Sequence, residues 1–275
     1  MTLQLTGRDE PKGSFKEFYG RPTKQMPWLM KAGYGLTSVA GVIGRRESAP
    51  ADVIDEWRRN YFFTGDGAAY DGRKNAKIVL DATLLREINS NTRLDNYAMV
   101  LSNNQLNELR GDDVLCLNAD KVERAHQKGF VNRNGVWQPE NTVVGDVWTH
   151  LSRGKDLQDY AEMVHGASGN DRVMWLWFDR NTYSSPVMRS LVVGSFDYGS
   201  IVDGSNYLLS PYGRFAGVAP EAQVAAKNQG PYGTPASVPR SELEVVLDEF
   251  KMKDPAELRR ALRLYDATKD LVGGK

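Results

Sequence analysis

Cysteine is almost absent from this chain, and the single thiol, Cys116, removes two large classes of protein at once. One cysteine forms no internal disulfide, and no zinc site that needs two or more thiolates from the same chain, so disulfide-stapled secreted scaffolds are excluded. Histidine is scarce too. His126, His150 and His165 lie 24 and 15 residues apart, so no pair at i and i+4 presents two metal ligands on one helix face. Each reads as a surface or helix-end histidine. An excess of either charge is also missing: Lys+Arg and Asp+Glu both total 35, and no basic stripe tracks a phosphate backbone, so no nucleic-acid partner is expected. No stretch reaches the ~18 apolar residues of a membrane span, and Met1 to Gly20 has no apolar segment of the signal-peptide kind. The expectation is a soluble protein without membrane insertion, its compartment, host and oligomeric state open, with virion or surface association one route to the outside of a cell.

A more local absence is the most informative. From Asp171 to Pro220 there is no Lys, Glu or Gln in 50 residues, although these types supply 36 of the other 225; the outside frequency applied to 50 positions gives about eight. In their place, 20 of the 36 residues from Phe178 to Gly213 are Ser, Tyr, Gly, Asp or Asn. Tyrosine supplies rigid amphipathic contact area, and Ser, Gly and Asn supply adaptable hydrogen bonds, which is the palette of binding loops. The skew points to recognition before it points to a reaction.

Motifs for chemistry are missing as well. There is no Gly-x-Ser-x-Gly elbow. The cluster Gly33, Gly35, Gly41 and Gly44 matches neither a dinucleotide fingerprint nor a Walker loop and reads as a turn region. Asp112-Asp113 stands at a predicted turn, where aspartate is ordinary. Gln138-Pro139-Glu140-Asn141 has the carbonyl-rich, proline-containing character of a calcium-holding lectin loop, but it precedes a helix and no Trp-Asn-Asp follows. No metal and no cofactor is expected.

What is present divides into three parts. Residues 1 to about 47 are Gly-, Pro- and Lys-rich and read as an irregular arm, followed by a helix from Ser48-Ala49-Pro50 to Arg59. The middle alternates short strands and helices. Strands are expected at 77–81, 97–101 and 114–117, with a helical segment at 82–88. Ser102 with Gln105 forms a capping box before a short helix ending at Gly111, and Asn118 caps a helix to Gln127. Asn134-Gly135 turns a hairpin. Helical spacing runs from Val147 to Val164, broken near Ser152-Arg153-Gly154, and strands follow at 173–178, 191–196 and 214–218. At the end, Ser241 with Glu244 and Asp254 with Glu257 predict two helices, about 241–251 and 255–271.

Met188-Arg189-Ser190-Leu191-Val192-Val193-Gly194-Ser195-Phe196, a polar loop, and then Gly213-Arg214-Phe215-Ala216-Gly217-Val218 resemble the end of a C-type lectin fold of the formylglycine-generating-enzyme type. In that family an Arg-x-x-x-Gly-Gly-Ser-Trp-like strand precedes a variable loop and a closing Gly-Phe-Arg-like strand. Here Val193 replaces the first glycine, Phe196 the tryptophan, and Arg214-Phe215 inverts the order. The resemblance spans about residues 140–222. Within the family it is nearest in style to the variable protein of a diversity-generating retroelement. The resemblance implies adenine-directed mutagenesis of codons that begin with two adenines and end in a pyrimidine, and such codons never come to encode Lys, Glu, Gln, Met or Trp. Trp175, Trp177 and Met188 are then scaffold, or come from other adenine-containing codons.

The expected fold class is therefore α+β, a C-type lectin-like fold with an irregular N-terminal arm and a C-terminal helical pair. The expected organisation is an arm and helix at 1–75, a ligand-binding domain at 76–235 with its variable region at about 171–220, and a helix-turn-helix extension at 236–275. The implied function is display of a diversified surface to a protein or cell-surface ligand. The candidate contacts are Trp175, Trp177, Asp179, Asn181, Tyr183, Asp197, Tyr198, Ser200, Ile201, Asp203, Ser205, Asn206, Tyr207, Leu208 and Tyr212, with the aromatics as anchors. Strand alternation puts Trp175 and Trp177 on one face, which fits core as well as surface. Alternatives are a non-variable lectin-fold binder, a virion or structural protein, and an enzyme on the same scaffold. The last would resemble oxidases that need two active-site cysteines, or iron enzymes that need a histidine cluster. No catalysis is expected.

Overall fold

A computed structural model describes residues 2–220 and residue 222, and the two helices expected at 241–251 and 255–271 lie outside the described residues. In chain order the elements are β1 (Phe15–Tyr19), α1 (Pro22–Lys31), β2 (Gly35–Leu36), α2 (Val39–Ser48), α3 (Ile54–Arg59), β3 (Phe62–Tyr70) and β4 (Ala76–Val79). A 3-10 turn (Thr83–Glu87), β5 (Leu94–Asp95), β6 (Ala98–Val100), α4 (Asn103–Glu108), β7 (Val114–Leu117) and α5 (Ala119–Ala125) come next. Then follow β8 (Lys128–Arg133), β9 (Val136–Pro139), α6 (Thr142–Leu151), α7 (Gln158–Ser168), β10 (Arg172–Trp177), β11 (Val187–Val193), β12 (Val202–Asp203) and β13 (Arg214–Val218).

One mixed sheet connects them in the order β1-β13-β3-β11-β12-β10-β8-β9, with β2 added to β13 and the β4–β7 pair added to β3. Its centre is buried on both sides, since all nine residues of β3 and all seven of β11 are buried. Alternation sends their side chains to two cores. Phe62, Ala68, Tyr70, Val187, Leu191 and Val193 join the helices α2, α6 and α7 on one face. Phe63, Ala69, Met188 and Val192 join α1, the 3-10 turn and Phe215 on the other. A bulge between Ser190 and Val192 adjusts the register against β3.

Local chemistry sets several boundaries. Asn134 and Gly135 hold φ of 56° and 84°, the paired positive φ that a two-residue hairpin turn requires. Ser102 and Gln105 form the reciprocal capping box of α4. Asn118 accepts from Lys121 N at the start of α5. The helical pattern from Val147 to Val164 is two helices, and the first begins at Thr142, where the Asn141 side chain accepts from Val144 N at 3.1 Å.

The N-terminal stretch departs from the expectation of an irregular arm. Strand β1 pairs along its whole length with β13, from Phe15↔Val218 to Tyr19↔Arg214, and buried Glu17 meets Arg214 at 2.7 Å across that pair. Helix α1 starts with Pro22 at its first position, and Ser38 caps α2 by accepting from Gly41 N. Of the glycines that suggested turns, Gly33 does turn the chain after α1 (φ 78°) and Gly35 begins β2, but Gly41 and Gly44 lie inside α2, where a Cβ on Gly41 would stand 2.7 Å from Thr37 Oγ1. The helix expected to open at Ser48-Ala49-Pro50 and run to Arg59 starts later, as α3 at Ile54, and Ser48 is instead the last residue of α2. The segment expected to be helical at 82–88 is a 3-10 turn. No helix among the described residues is long and apolar enough to cross a membrane.

Candidate functional site

Beyond β11 the chain makes a short turn, crosses β12 and loops back to β13, and this stretch forms the exposed face. Its floor is set by two buried arginines. Arg189, fully buried in β11, places Nε 2.9 Å from Asp179 Oδ2, while its Nη1 donates to the Asn206 carbonyl at 2.7 Å and its Nη2 to the Asn96 carbonyl at 2.7 Å. One side chain thus ties together the loop after β10, the loop after β12 and the β5–β6 turn. Tyr183 closes the group, its hydroxyl donating to Asp179 and accepting from Arg189 Nη2 at 2.9 Å. Burial, and then the Asp179 carboxylate, hold the Tyr183 hydroxyl above its ordinary pKa. Tyr70, whose pKa is also raised by burial, accepts from Asp179 N at 3.2 Å and donates to the Gly204 carbonyl at 2.9 Å.

Arg46 of α2 is the second anchor. It donates to the Trp57 and Asn60 carbonyls at 2.9 Å each, to Tyr160 Oη at 3.0 Å and to Ser200 Oγ at 2.9 Å, and no carboxylate pairs with it among the described residues. Ser200 and Tyr160 are themselves 2.6 Å apart. Ser200 takes a left-handed backbone (φ 52°) there, so the 197–201 turn is fastened from below.

Three candidate contacts are corrected by this arrangement. Asp179 is 4% exposed and Ser200 is fully buried, because each supplies an acceptor to a buried arginine. Leu208 is fully buried because it fills the core on the Phe215 side of the sheet. Tyr183 is half-buried and committed to the Arg189 group. Trp175 and Trp177 are half-buried and share a face, as alternation predicts. Left-handed Met174 (φ 56°) precedes them, held by Met174 N to the Gly199 carbonyl at 2.6 Å and by Trp148 Nε1 to the Met174 carbonyl at 2.7 Å. Trp177 packs against the His126 ring at 4.8 Å, and burial keeps that imidazole below its ordinary pKa. All three histidines sit at helix ends: His126 caps α5, His150 ends α6 and His165 lies in the last turn of α7.

The remaining candidates make a surface. Tyr198, Tyr207 and Tyr212 are 73%, 52% and 64% exposed. Tyr198, Ile201, Asp203 and Asn206 line one groove of about 240 Å³, together with Tyr61, Phe63, Val192, Gly194, Ser195 and Ser210. Gly194 is required here, because a Cβ on it would stand 2.5 Å from Ile201 Cγ2. Asp203 Oδ1 accepts from Ser205 N at 2.7 Å and Ser205 Oγ at 2.8 Å, and burial raises its carboxyl pKa. Asp197 and Asn181 are exposed, and neither lines the groove. A wider depression of about 520 Å³, bounded by Arg93, Val100, Leu101, Ser102, Asn103 and Ser184–Pro186, contains none of the candidates.

Three contributors lie outside the stretch 171–220 and went unread. Tyr61 lines the groove and donates to the Tyr212 carbonyl, Phe63 contributes from β3, and Tyr97 meets Tyr207 at a tilt, with ring centroids 4.9 Å apart. The only one-dimensional trace is the aromatic run Tyr61-Phe62-Phe63, which reads as the start of a core strand and does not say which ring faces out.

No family model and no curated protein matches the sequence. A solved structure described as "Accommodation of massive sequence variation in Nanoarchaeota by the C-type lectin fold" matches with a TM-score of 0.54 at 21% identity, covering 76% of this chain and all of the other. With the mixed sheet and its flanking helices, the likeness establishes the class: this is an α+β protein with the C-type lectin fold. At that identity the likeness speaks to the scaffold alone.

Proposed function

We propose that the chain is a ligand-binding protein whose exposed face is diversified by a retroelement, displayed on the C-type lectin scaffold to a protein or cell-surface ligand. The observation that carries this reading is the division of labour within the stretch that has no Lys, Glu or Gln. Within it Tyr198, Ile201, Asp203, Asn206 and Ser210 line one groove, with exposed Asp197, Tyr207 and Tyr212 on the same stretch, while two buried arginines hold the backbone beneath them in place. Side chains can change on such a face with little effect on folding, because the anchors bind carbonyl groups and buried residues. The described match to a protein of massive sequence variation on the same fold supports the reading.

Sequencing the gene across sister isolates tests it. Substitutions should crowd at Asn181, Asp197, Tyr198, Ile201, Asp203, Ser205, Asn206, Tyr207 and Tyr212, at codons where a nearby template copy carries adenine. They should spare Asp179, Arg189, Ser200 and Leu208. Changes spread evenly over both sets would overturn the retroelement and leave a fixed lectin-fold binder.

A further inference from the structure

The groove has a charge character that the residue types alone do not disclose. The stretch Asp171–Pro220 contains four arginines and no lysine, and each arginine is matched to a carboxylate: Arg172 to Glu140, Arg180 to Glu123, Arg189 to Asp179 and Arg214 to Glu17. Asp197 and Asp203 on the same face have no ion-pair partner among the described residues. The Asp203 carboxylate is satisfied by neutral donors only, chiefly the Ser205 amide and hydroxyl. Arg46 and Arg58, on α2 and α3, contact the Phe196 ring and line no part of the groove. The groove therefore combines the rings of Tyr61 and Tyr198 with a partly desolvated carboxylate whose cationic neighbour, Arg189, is buried and already ion-paired with Asp179.

The geometry points to a cation: we propose that the groove receives a Lys or Arg side chain of a protein partner, its charge set against Asp203 and its stem along the tyrosine rings. This rests on the groove being the ligand face proposed above. A carboxylate pulled partly out of water gains most from a partner that arrives with hydrogen-bond donors and opposite charge. Tyrosine rings attract the same group through their negative faces. The chain makes that contact internally, with Arg214 Cζ 5.3 Å from the Tyr61 ring and 5.1 Å from the Tyr19 ring. An acidic side chain would meet Asp203 in a groove whose lining holds no Lys or Arg to receive it.

Four blocked amino acids serve as probes of the full chain by backbone amide chemical-shift titration: the acetyl amides of arginine, lysine, glutamate and tyrosine. The arginine and lysine probes should move the amides of Asp203, Ser205 and Tyr198, with an affinity that falls as salt is raised. Asp203→Asn, which keeps an acceptor for Ser205, should weaken the cationic probes roughly tenfold, and Tyr198→Ala, at an exposed position, should weaken them severalfold. Equal shifts from the glutamate or tyrosine probe would overturn the assignment, as would no shift from any probe, or cation binding that survives both substitutions. Failure here is separable from failure of the broader reading. Even sequence variation across isolates would remove the retroelement and leave the probe ratios untouched, whereas loss of the cation preference would leave the variation pattern intact.

Discussion

All seven residues of β11 are buried, whereas the loops from Asp197 to Tyr212 carry four of the nine large exposed hydrophobic side chains among the described residues: Tyr198, Tyr207, Leu209 and Tyr212. Both regions lie in the stretch without Lys, Glu or Gln, and the absence has different causes in each. In β11 it is ordinary burial, since long charged side chains are almost never fully enclosed without a partner. In the loops water is available, and lysine or glutamate would be stable there. Twenty-six of the fifty residues are buried, so about half of the compositional gap follows from folding alone, and only the rest bears on how the surface arose. The contrast also separates the two uses of one residue type. Asp179 is fixed under the surface by Arg189, and Asp203 faces the groove.

The largest test of that contrast is Arg189→Met. It leaves the Asp179 carboxylate buried without its partner and removes the donors to the Asn96 and Asn206 carbonyls. Breaking a buried pair in this way costs about 3–5 kcal/mol, which lowers the melting temperature by on the order of 10 °C. Calorimetry should show that drop, and adding Asp179→Leu should recover part of it. A loss under about 1 kcal/mol would mean that the three loops stand without the arginine.

Adjacent residues sharpen the comparison next. Leu208 is fully buried and Tyr207, beside it, is 52% exposed. Leu208→Ala should destabilise by about 2–5 kcal/mol, and Tyr207→Ala by about 0.5–1.5 kcal/mol, the value of its ring contact with Tyr97. Urea titrations that gave equal losses would erase the boundary between scaffold and surface at this point in the chain.

A carboxylate offers a third test. Asp66 in β3 is fully buried, accepts from Val39 N at 2.6 Å and Asp81 N at 2.9 Å, and burial pushes its pKa from 3.8 up to about 6. The folded protein therefore holds this proton more tightly than the unfolded chain. The resulting stabilisation is fully present below about pH 4 and is lost as pH rises through about 6, at most about 3 kcal/mol for a shift of this size. Comparing wild type with Asp66→Asn at pH 4 and pH 7 isolates it. The wild type should gain relative to the variant at the lower pH, and a gain at the higher pH would show that the hydrogen bonds and Arg153, 3.9 Å away, outweigh burial.

Much of the local structure was legible because its causes are local. The Asn134-Gly135 turn, the Ser102–Gln105 box and the Asn118 cap each depend on residues within four positions of one another, and the strand at Val114–Leu117 falls where its pattern placed it. The N-terminal strand was not legible, because β1 gains its place by pairing with β13, about two hundred residues later. The site was legible as a composition and not as a direction. Asp179 and Ser200 are of the same types as other candidates, and Leu208 stands beside exposed Leu209; what buries them is a pair of arginines and a core contact assembled from distant elements. Tyr61 and Tyr97 escaped for the same reason, since nothing near them in the chain marks the groove that Tyr61 lines or the Tyr207 ring that Tyr97 meets.

The smallest expected effect completes the contrast. Tyr198 and Tyr212 are the two most exposed tyrosines of the face, and Tyr212 is tied to the fold by its backbone carbonyl, which accepts the Tyr61 hydroxyl, and not by its ring. Replacing both by Ala should therefore change stability by no more than about 0.5 kcal/mol each. Tyr61→Phe, which removes the hydroxyl that the Tyr212 carbonyl receives, should cost about 0.5–1.5 kcal/mol. Denaturant midpoints would show whether the order holds. If either single alanine variant lost more than Tyr61→Phe, its ring would be part of the packing, and the face could not be altered there without altering the fold that presents it.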